Sequence, residues 1–126
     1  MRTTQPGVSL VTDTATTLHN ASGTNGNGTI LVLSPYDQEI LILATGVSAI
    51  LNIIHEVSFD GSNYVNAFSE DLLAATGIAT LINTVVNPTT ARHRYRIPSG
   101  ATNFRTRVGG FVSGTVTVVA TVRRRT

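Results

Sequence analysis

The 126-residue sequence contains no cysteine, no tryptophan and no lysine. Without cysteine, neither disulfide bonds nor thiolate metal sites can form, so stability has to come from packing or assembly. The glycine-rich loop 23–28 has no lysine to complete a phosphate cradle, and the strand-like run 29–33 follows it instead of a helix. A nucleotide-phosphate site is therefore excluded, and no cofactor is expected.

Charged residues are also scarce, at 13% of the chain, while 41% of the residues are hydrophobic. Threonine, serine and asparagine fill much of the remainder, and β-branched threonine favours strands over helices. The longest apolar run, residues 40–54, is interrupted by polar residues and is shorter than the ~20 residues that a membrane helix needs. Composition therefore predicts one β-rich domain and no membrane partner.

Short β-like runs separated by turn signals recur along the chain, which predicts an all-β fold: an antiparallel β-sandwich or jelly roll of about eight strands. In residues 115–122, Val116, Val118, Ala120 and Val122 share one face, and the other face is mostly threonine, so one face is core and the other is solvent-exposed. Residues 39–54 are apolar on both faces, which favours a subunit interface and a homo-oligomer. We assign residues 1–7 to an extended arm, 8–122 to the sandwich and 123–126 to a basic tail.

No grouping of residues indicates catalysis or metal binding. The three histidines, His19, His55 and His93, have no ligand-like spacing. The acidic pairs 37/39 and 70/71 lie in polar connecting segments, where solvated charges are the commoner interpretation. A Gly-x-Ser-x-Gly elbow is absent as well. We therefore predict a protein that is not an enzyme and that binds no metal.

Arginine supplies every basic charge, and all arginines except Arg2 lie from residue 92 onward. Strand alternation places those of residues 92–96 on one face, and likewise those of residues 105–107. If the turn at 98–103 makes these two strands an antiparallel pair, the five arginines share one outer surface. Together with the basic end of the chain, the candidate partner-binding residues are Arg92, Arg94, Arg96, Arg105, Arg107, Arg123, Arg124 and Arg125.

Three interpretations of this arginine surface remain open. Acids on a neighbouring strand, such as Glu56, Asp60 or Glu39, can neutralise it within the chain. Carboxylates of another protein can bind it, since arginine forms bidentate pairs with them. Nucleic acid is the least favoured partner, because the nearby aromatic residues Tyr95 and Phe104 point towards the core.

The run Val57–Tyr64 resembles the S-x-D-G-x-x-[WY] hairpin of small β-sandwich proteins from tailed-phage virions, and the runs 95–98, 104–108 and 114–118 are similar to their closing strands. The resemblance covers about residues 38–122. It implies a virion protein, and head decoration or cement proteins, which bind the major capsid protein on the outer capsid surface, fit best. The alternative is a tail or baseplate module that recognises host carbohydrate, although only tyrosine and phenylalanine are available for stacking on sugars.

Overall fold

The structure, a computed structural model, describes residues 11–73 and 81–125. Every regular element in these two ranges is a strand: β1 (Val11–Ser22), β2 (Gly26–Asn27), β3 (Leu31–Val32), β4 (Asp37–Ser58), β5 (Tyr64–Asn66), β6 (Ser69–Asp71), β7 (Leu81–Ile82), β8 (Thr84–Val86), β9 (Thr90–Arg96) and β10 (Asn103–Arg125). No helix in the described ranges is long and apolar enough to span a bilayer. The predicted arm, residues 1–7, lies outside the described residues.

All described strands belong to one antiparallel sheet with the order β1-β10-β4-β9-β6-β7. Strands β2 and β3 add to β10, and β5 and β8 add to β4. The predicted all-β antiparallel fold is therefore confirmed. Two strands dominate the sheet, because β4 and β10 pair with each other along most of their length.

Strands β4 and β10 are continuous over 22 and 23 residues, although both runs contain turn-favouring glycine and serine near the middle. Both bend midway: Ser48 and Gly114 have φ values of +50° and +83°, and the pairing register shifts between Gly109 and Thr115. A bulge of this kind bends a strand without ending its ladder. Turn-forming residues within these runs therefore mark bends in a strand, not loops between strands.

The bend folds the sheet back on itself. His93 of β9 pairs with Ile42 of β4, yet its ring lies 2.9 Å from that of His55, thirteen residues further along β4. Thirteen residues of straight strand would span about 43 Å, so the two halves of β4 must face each other. We call the layer built on residues 39–46 of β4 the first half-sheet and the layer built on residues 50–58 the second half-sheet.

The core lies between these two half-sheets, as in a sandwich, but hydrogen bonds run continuously from one layer to the other. The rings of Tyr95, from the first half-sheet, and Phe104, from the second, stack with centroids 5.4 Å apart. The alternation predicted for residues 115–122 is confirmed, since the valines and alanine at 116, 118 and 120 are buried. Other fully buried side chains of the core are Ile40, Leu51, Ile53, Val57 and Val108.

The predicted basic tail is part of strand β10, which continues to Arg125. Its last residues are paired on both sides, because Arg123 is opposite Asp13 of β1 and Glu39 of β4. Opposite charges on neighbouring strands stabilise this pairing. The arginines at the end of the chain are therefore held in the sheet and do not extend from it.

The hairpin that carries the S-x-D-G-x-x-[WY] pattern joins β4 to β5, with Ser58 opposite Tyr64. A carboxylate oxygen of Asp60 accepts hydrogen bonds from the backbone N–H groups of Asn63 and Ser62, at 2.7 and 2.8 Å, and these bonds hold the pKa of Asp60 well below its usual range. Gly61 has φ of +83°, a conformation that favours glycine. The pattern thus specifies an Asx-type turn.

Candidate functional site: the arginines of strands β9 and β10

Strand alternation directs the arginines of β9 and of residues 105–107 away from the core, as the sequence pattern predicts. Arg92 and Arg96 are exposed, whereas His93 and Tyr95 between them are buried. In the same way, Phe104, Thr106 and Val108 are buried while Arg105 and Arg107 are only partly covered. The local prediction is therefore confirmed for both runs.

The prediction that these five arginines share one surface is wrong. Strand β9 pairs with β4 and β6, and residues 103–109 of β10 pair with β4, β2 and β3, so the two runs are not neighbours in the sheet. They lie in opposite half-sheets, and their inward residues Tyr95 and Phe104 meet across the core. Because the inward sides face each other, the outward arginines of the two runs point in opposite directions.

Most arginines of the first half-sheet have carboxylate partners within the chain. Arg94 donates to Glu70 through Nε at 2.9 Å, and its Nε lies 3.9 Å from Glu39; the hydrogen bond to Glu70 raises the pKa of Arg94. Arg123 lies 3.4 Å from both Asp13 and Glu39. The first half-sheet therefore carries a row of alternating charges across β1, β10, β4, β9 and β6.

Arg124 and Asp37 form a further pair at the end of this half-sheet. Arg124 Nε donates to Asp37 Oδ1 at 2.7 Å, which raises the pKa of Arg124. The other carboxylate oxygen accepts the backbone N–H of Ser34 at 2.7 Å, and the side chain of Asp37 is almost fully buried. Asp37 therefore fixes the loop before β4 to the end of β10.

In the second half-sheet, Glu56 forms ion pairs with both outward arginines. Its Oε1 lies 2.9 Å from Nε of Arg105 and 3.5 Å from Nε of Arg107, and the guanidinium of Arg105 sits 3.8 Å above the ring of Tyr64. Of the acids that the sequence offers as neutralisers, Glu56 and Glu39 have that role. Asp60 instead stabilises its own turn.

Arg92 and Arg96 differ from the other arginines. Among the arginines whose side chains the structure describes, these two have no described carboxylate within 4 Å. Both are exposed on the outer face of the first half-sheet. The side chain of Arg125 lies outside the described set. The eight predicted partner-binding arginines thus contain two whose charge the described part of the chain does not neutralise.

Each of these two arginines borders a depression. One has a volume of about 270 Å³ and is lined by Arg92, Leu41, Leu43, Leu72 and Val119, among others. The second has a volume of about 250 Å³ and is lined by Arg96, Arg94, Glu70, Phe68 and Leu81. Sequence reasoning missed both depressions, because they form between residues that strand pairing brings together from distant parts of the chain.

The three histidines have packing roles in the structure. His55 Nε2 and His93 Nδ1 are 2.9 Å apart in the core, and burial lowers the pKa of both; for His55, with a further contribution from His93, it falls to about 3. His19 Nε2 lies 3.2 Å from the carbonyl oxygen of Thr106 and donates to it in the tautomer that is protonated at Nε2. Within residues 11–73 and 81–125, no group of three or more His, Asp or Glu side chains is placed to hold a metal ion.

No protein-family model matches the sequence, and no curated protein matches it either. Two solved structures share the fold. The SPBc2 prophage-derived protein YomS superposes with a TM-score of 0.78 at 18% identity, over 94% of this chain and 99% of YomS. The PBSX exported protein XepA superposes with a TM-score of 0.77 at 14% identity, over 92% of this chain and 39% of XepA. This chain therefore has the same fold as nearly the whole of YomS and as one part of XepA.

Proposed function

We propose, on the premise that it shares the fold of the prophage-derived protein YomS, that this chain is a non-enzymatic structural protein of a bacteriophage particle. More specifically, we propose a decoration or cement protein that binds the major capsid protein, or another virion protein, on the outer surface of the capsid. The observation that carries the proposal is the superposition on YomS, which extends over nearly the full length of both chains.

The roles of the ionisable side chains support a structural protein over an enzyme. Glu56 is committed to two arginines, Asp60 to a turn, and His55 to His93. A general acid or base has to reach a reacting group, and the full burial of His55 prevents this. The acids and histidines that sequence inspection singles out are thus engaged in holding the fold together.

Assembly into a homo-oligomer is part of the proposal. Val47 and Ile50, which lie at the bend of β4, are exposed, and so is Val112 at the bend of β10. Apolar side chains grouped at one end of a small domain are typical of a contact surface. This observation agrees with the subunit interface that the apolar run 39–54 predicts.

A reconstitution experiment tests the decoration role. Particles of the phage that encodes the chain are prepared without it and mixed with the purified protein, with an unrelated β-sandwich domain of similar size as the control. We expect this chain alone to sediment with the particles at saturable stoichiometry and to raise their thermal disruption temperature. If it stays in the supernatant at every concentration, the decoration role is wrong.

A carbohydrate-binding tail or baseplate module is the second candidate, and one specific observation favours it. The side chains of Tyr36 and Phe59 are exposed, a property that the sequence does not indicate. A depression of about 480 Å³ lies in the same region, between the segments 33–38 and 97–102, and Phe59 lies next to Gly100. Exposed aromatic rings close to a depression that both polar and apolar residues line suit sugar stacking. Binding of host surface glycans, lost in the variant Tyr36→Ala, would favour this role over capsid decoration.

A further inference from the structure

We propose that Arg92 and Arg96 bind two carboxylates of an extended, partly apolar segment of a partner protein, which lies along strand β9 on the outer face of the first half-sheet. The inference rests on the proposed structural function and deepens it, because it assigns the contact surface and the chemistry of the partner. It also reduces the eight candidate arginines to two.

The first argument is the distribution of ion pairs. The acids nearest to β9 are already used: Glu39 is opposite Arg96 in the sheet, but it lies within 4 Å of Arg94 and Arg123 instead. Glu70, on the other side of β9, is bonded to Arg94. Arg96 is therefore left as an exposed cation beside carboxylates that have other partners.

Arg92 lacks an acid for a different reason. Its row across the sheet consists of Leu43 on β4, Val119 on β10 and Thr17 on β1, none of which carries charge. The neighbouring side chain on the other side, Leu72, is exposed as well. A cation thus stands at the edge of an apolar depression that no described residue covers.

The second depression repeats this combination around Arg96. Phe68 and Leu81 line it, and 54% and 66% of their respective surfaces are exposed. Two exposed apolar side chains next to an unneutralised arginine match a ligand that brings a carboxylate and an apolar group together. A protein segment with an apolar residue two positions from each acid has this chemistry, because residues two positions apart in an extended chain lie on the same face.

The spacing of the two arginines defines the partner further. They are four residues apart on one strand and point to the same face, so their Cα atoms are separated by about 13 Å. Two acids four residues apart in an extended segment have the same separation. Arginine can bind each carboxylate in a bidentate manner, which also fixes the orientation of the segment.

Nucleic acid fits this surface less well. Two unneutralised charges release few counterions, which gives little affinity for a phosphate backbone. Of the exposed side chains that line the two depressions, Phe68 is the one aromatic ring described, whereas single-stranded nucleic acid is held by stacking on several aromatic rings. The observations therefore favour a protein partner.

The test uses a double variant, Arg92→Gln with Arg96→Gln, and a matched control, Arg107→Gln with Arg123→Gln. Both lose two positive charges. In the control, however, Glu56 keeps Arg105 and Glu39 keeps Arg94, and among the described acids just the half-exposed Asp13 loses its arginine. Thermal denaturation of both variants first establishes that each one folds like the parent chain.

The probe is a fluorescein-labelled peptide, Leu-Thr-Glu-Thr-Thr-Thr-Glu-Thr-Leu, whose two glutamates and two leucines share one face when it is extended. Its partner peptide has glutamine in place of both glutamates. We expect the parent chain to prefer the glutamate peptide, and the Arg92/Arg96 variant to lose about tenfold in affinity for it, since two charge-assisted contacts are removed. The control variant should change by less than about twofold. Equal loss in both variants, or no preference of the parent chain for glutamate, overturns the inference.

Two further measurements separate this inference from the proposed function. Tighter binding of a 20-nucleotide single-stranded DNA than of the glutamate peptide would overturn the protein partner. In the particle reconstitution, the Arg92/Arg96 variant should sediment less than the control variant. If the parent chain binds particles and both variants bind equally, the contact surface is wrong and the decoration role stands; if the parent chain does not bind, the decoration role fails while the peptide result still decides the surface chemistry.

Discussion

Replacing Gly114 by alanine is expected to destabilise the fold by about 2–5 kcal/mol, since a positive φ costs a residue with a side chain about 1–2 kcal/mol and overpacking adds about 1–3 kcal/mol. Gly114 has φ of +83°, and a Cβ atom there would lie 2.2 Å from the backbone oxygen of Ser48. Both residues belong to the bend, where β10 passes close to β4. Urea denaturation of the purified variant measures the loss.

Gly109 provides the matched control in the same strand. A Cβ atom at this position would meet the tip of the Ile54 side chain at 3.3 Å, and the backbone conformation is one that any residue adopts. The Ile54 side chain can shift to make room for the added methyl group. The free energy of unfolding of the variant Gly109→Ala should therefore fall by less than about 1 kcal/mol. Equal stability losses in the two variants would mean that the close approach of the backbones at Gly114 does not hold the bend.

The second large effect is a loss of stability in mild acid. Burial lowers the pKa of His55 to about 3, so the folded chain does not take up this proton between pH 6.5 and 3, whereas the unfolded chain does. The contribution of the neutral, buried His55 to the free energy of unfolding is therefore full above pH 6.5, and it decreases as the pH falls from 6.5 to 3. For His55 alone, we expect a loss of about 2 kcal/mol between pH 7 and pH 5.

His93 and His19 act in the same direction, because burial lowers the pKa of each; for His93 the charge of Asp71 opposes this shift. The window from pH 7 to pH 5 is chosen because carboxylates remain ionised there. In a double variant, His55→Leu with His93→Leu, the dependence on pH should shrink to the part due to His19. Equilibrium unfolding at several pH values measures it, and an unchanged slope in the double variant would contradict the role of the histidine pair.

Local features of this fold follow from the sequence, since they depend only on neighbouring residues. The alternation of buried and outward residues in β9 requires just the two-residue period of a strand. The turn at Asp60 needs a carboxylate, a glycine and an asparagine within four positions. These are the parts of the pattern that the structure confirms.

The errors concern pairing between distant segments. Tyr95 and Phe104 are separated by a short turn, which favours a hairpin, but β9 pairs with β4, and the two inward rings stack across the core. Two other contacts also join residues that are far apart in the sequence: Glu56 and Arg105 are 49 residues apart, and His55 and His93 are 38 residues apart. Which acid neutralises which arginine depends on the order of strands, and a single sequence does not specify that order.

The presence of the chain on the particle is the most direct test of a structural role in the virion. Phage particles purified by density gradient are disrupted, and quantitative mass spectrometry measures the chain against the major capsid protein. A decoration protein is expected at a fixed ratio to the capsid protein, in many copies per particle. Absence of the chain from purified infectious particles would contradict the proposed function.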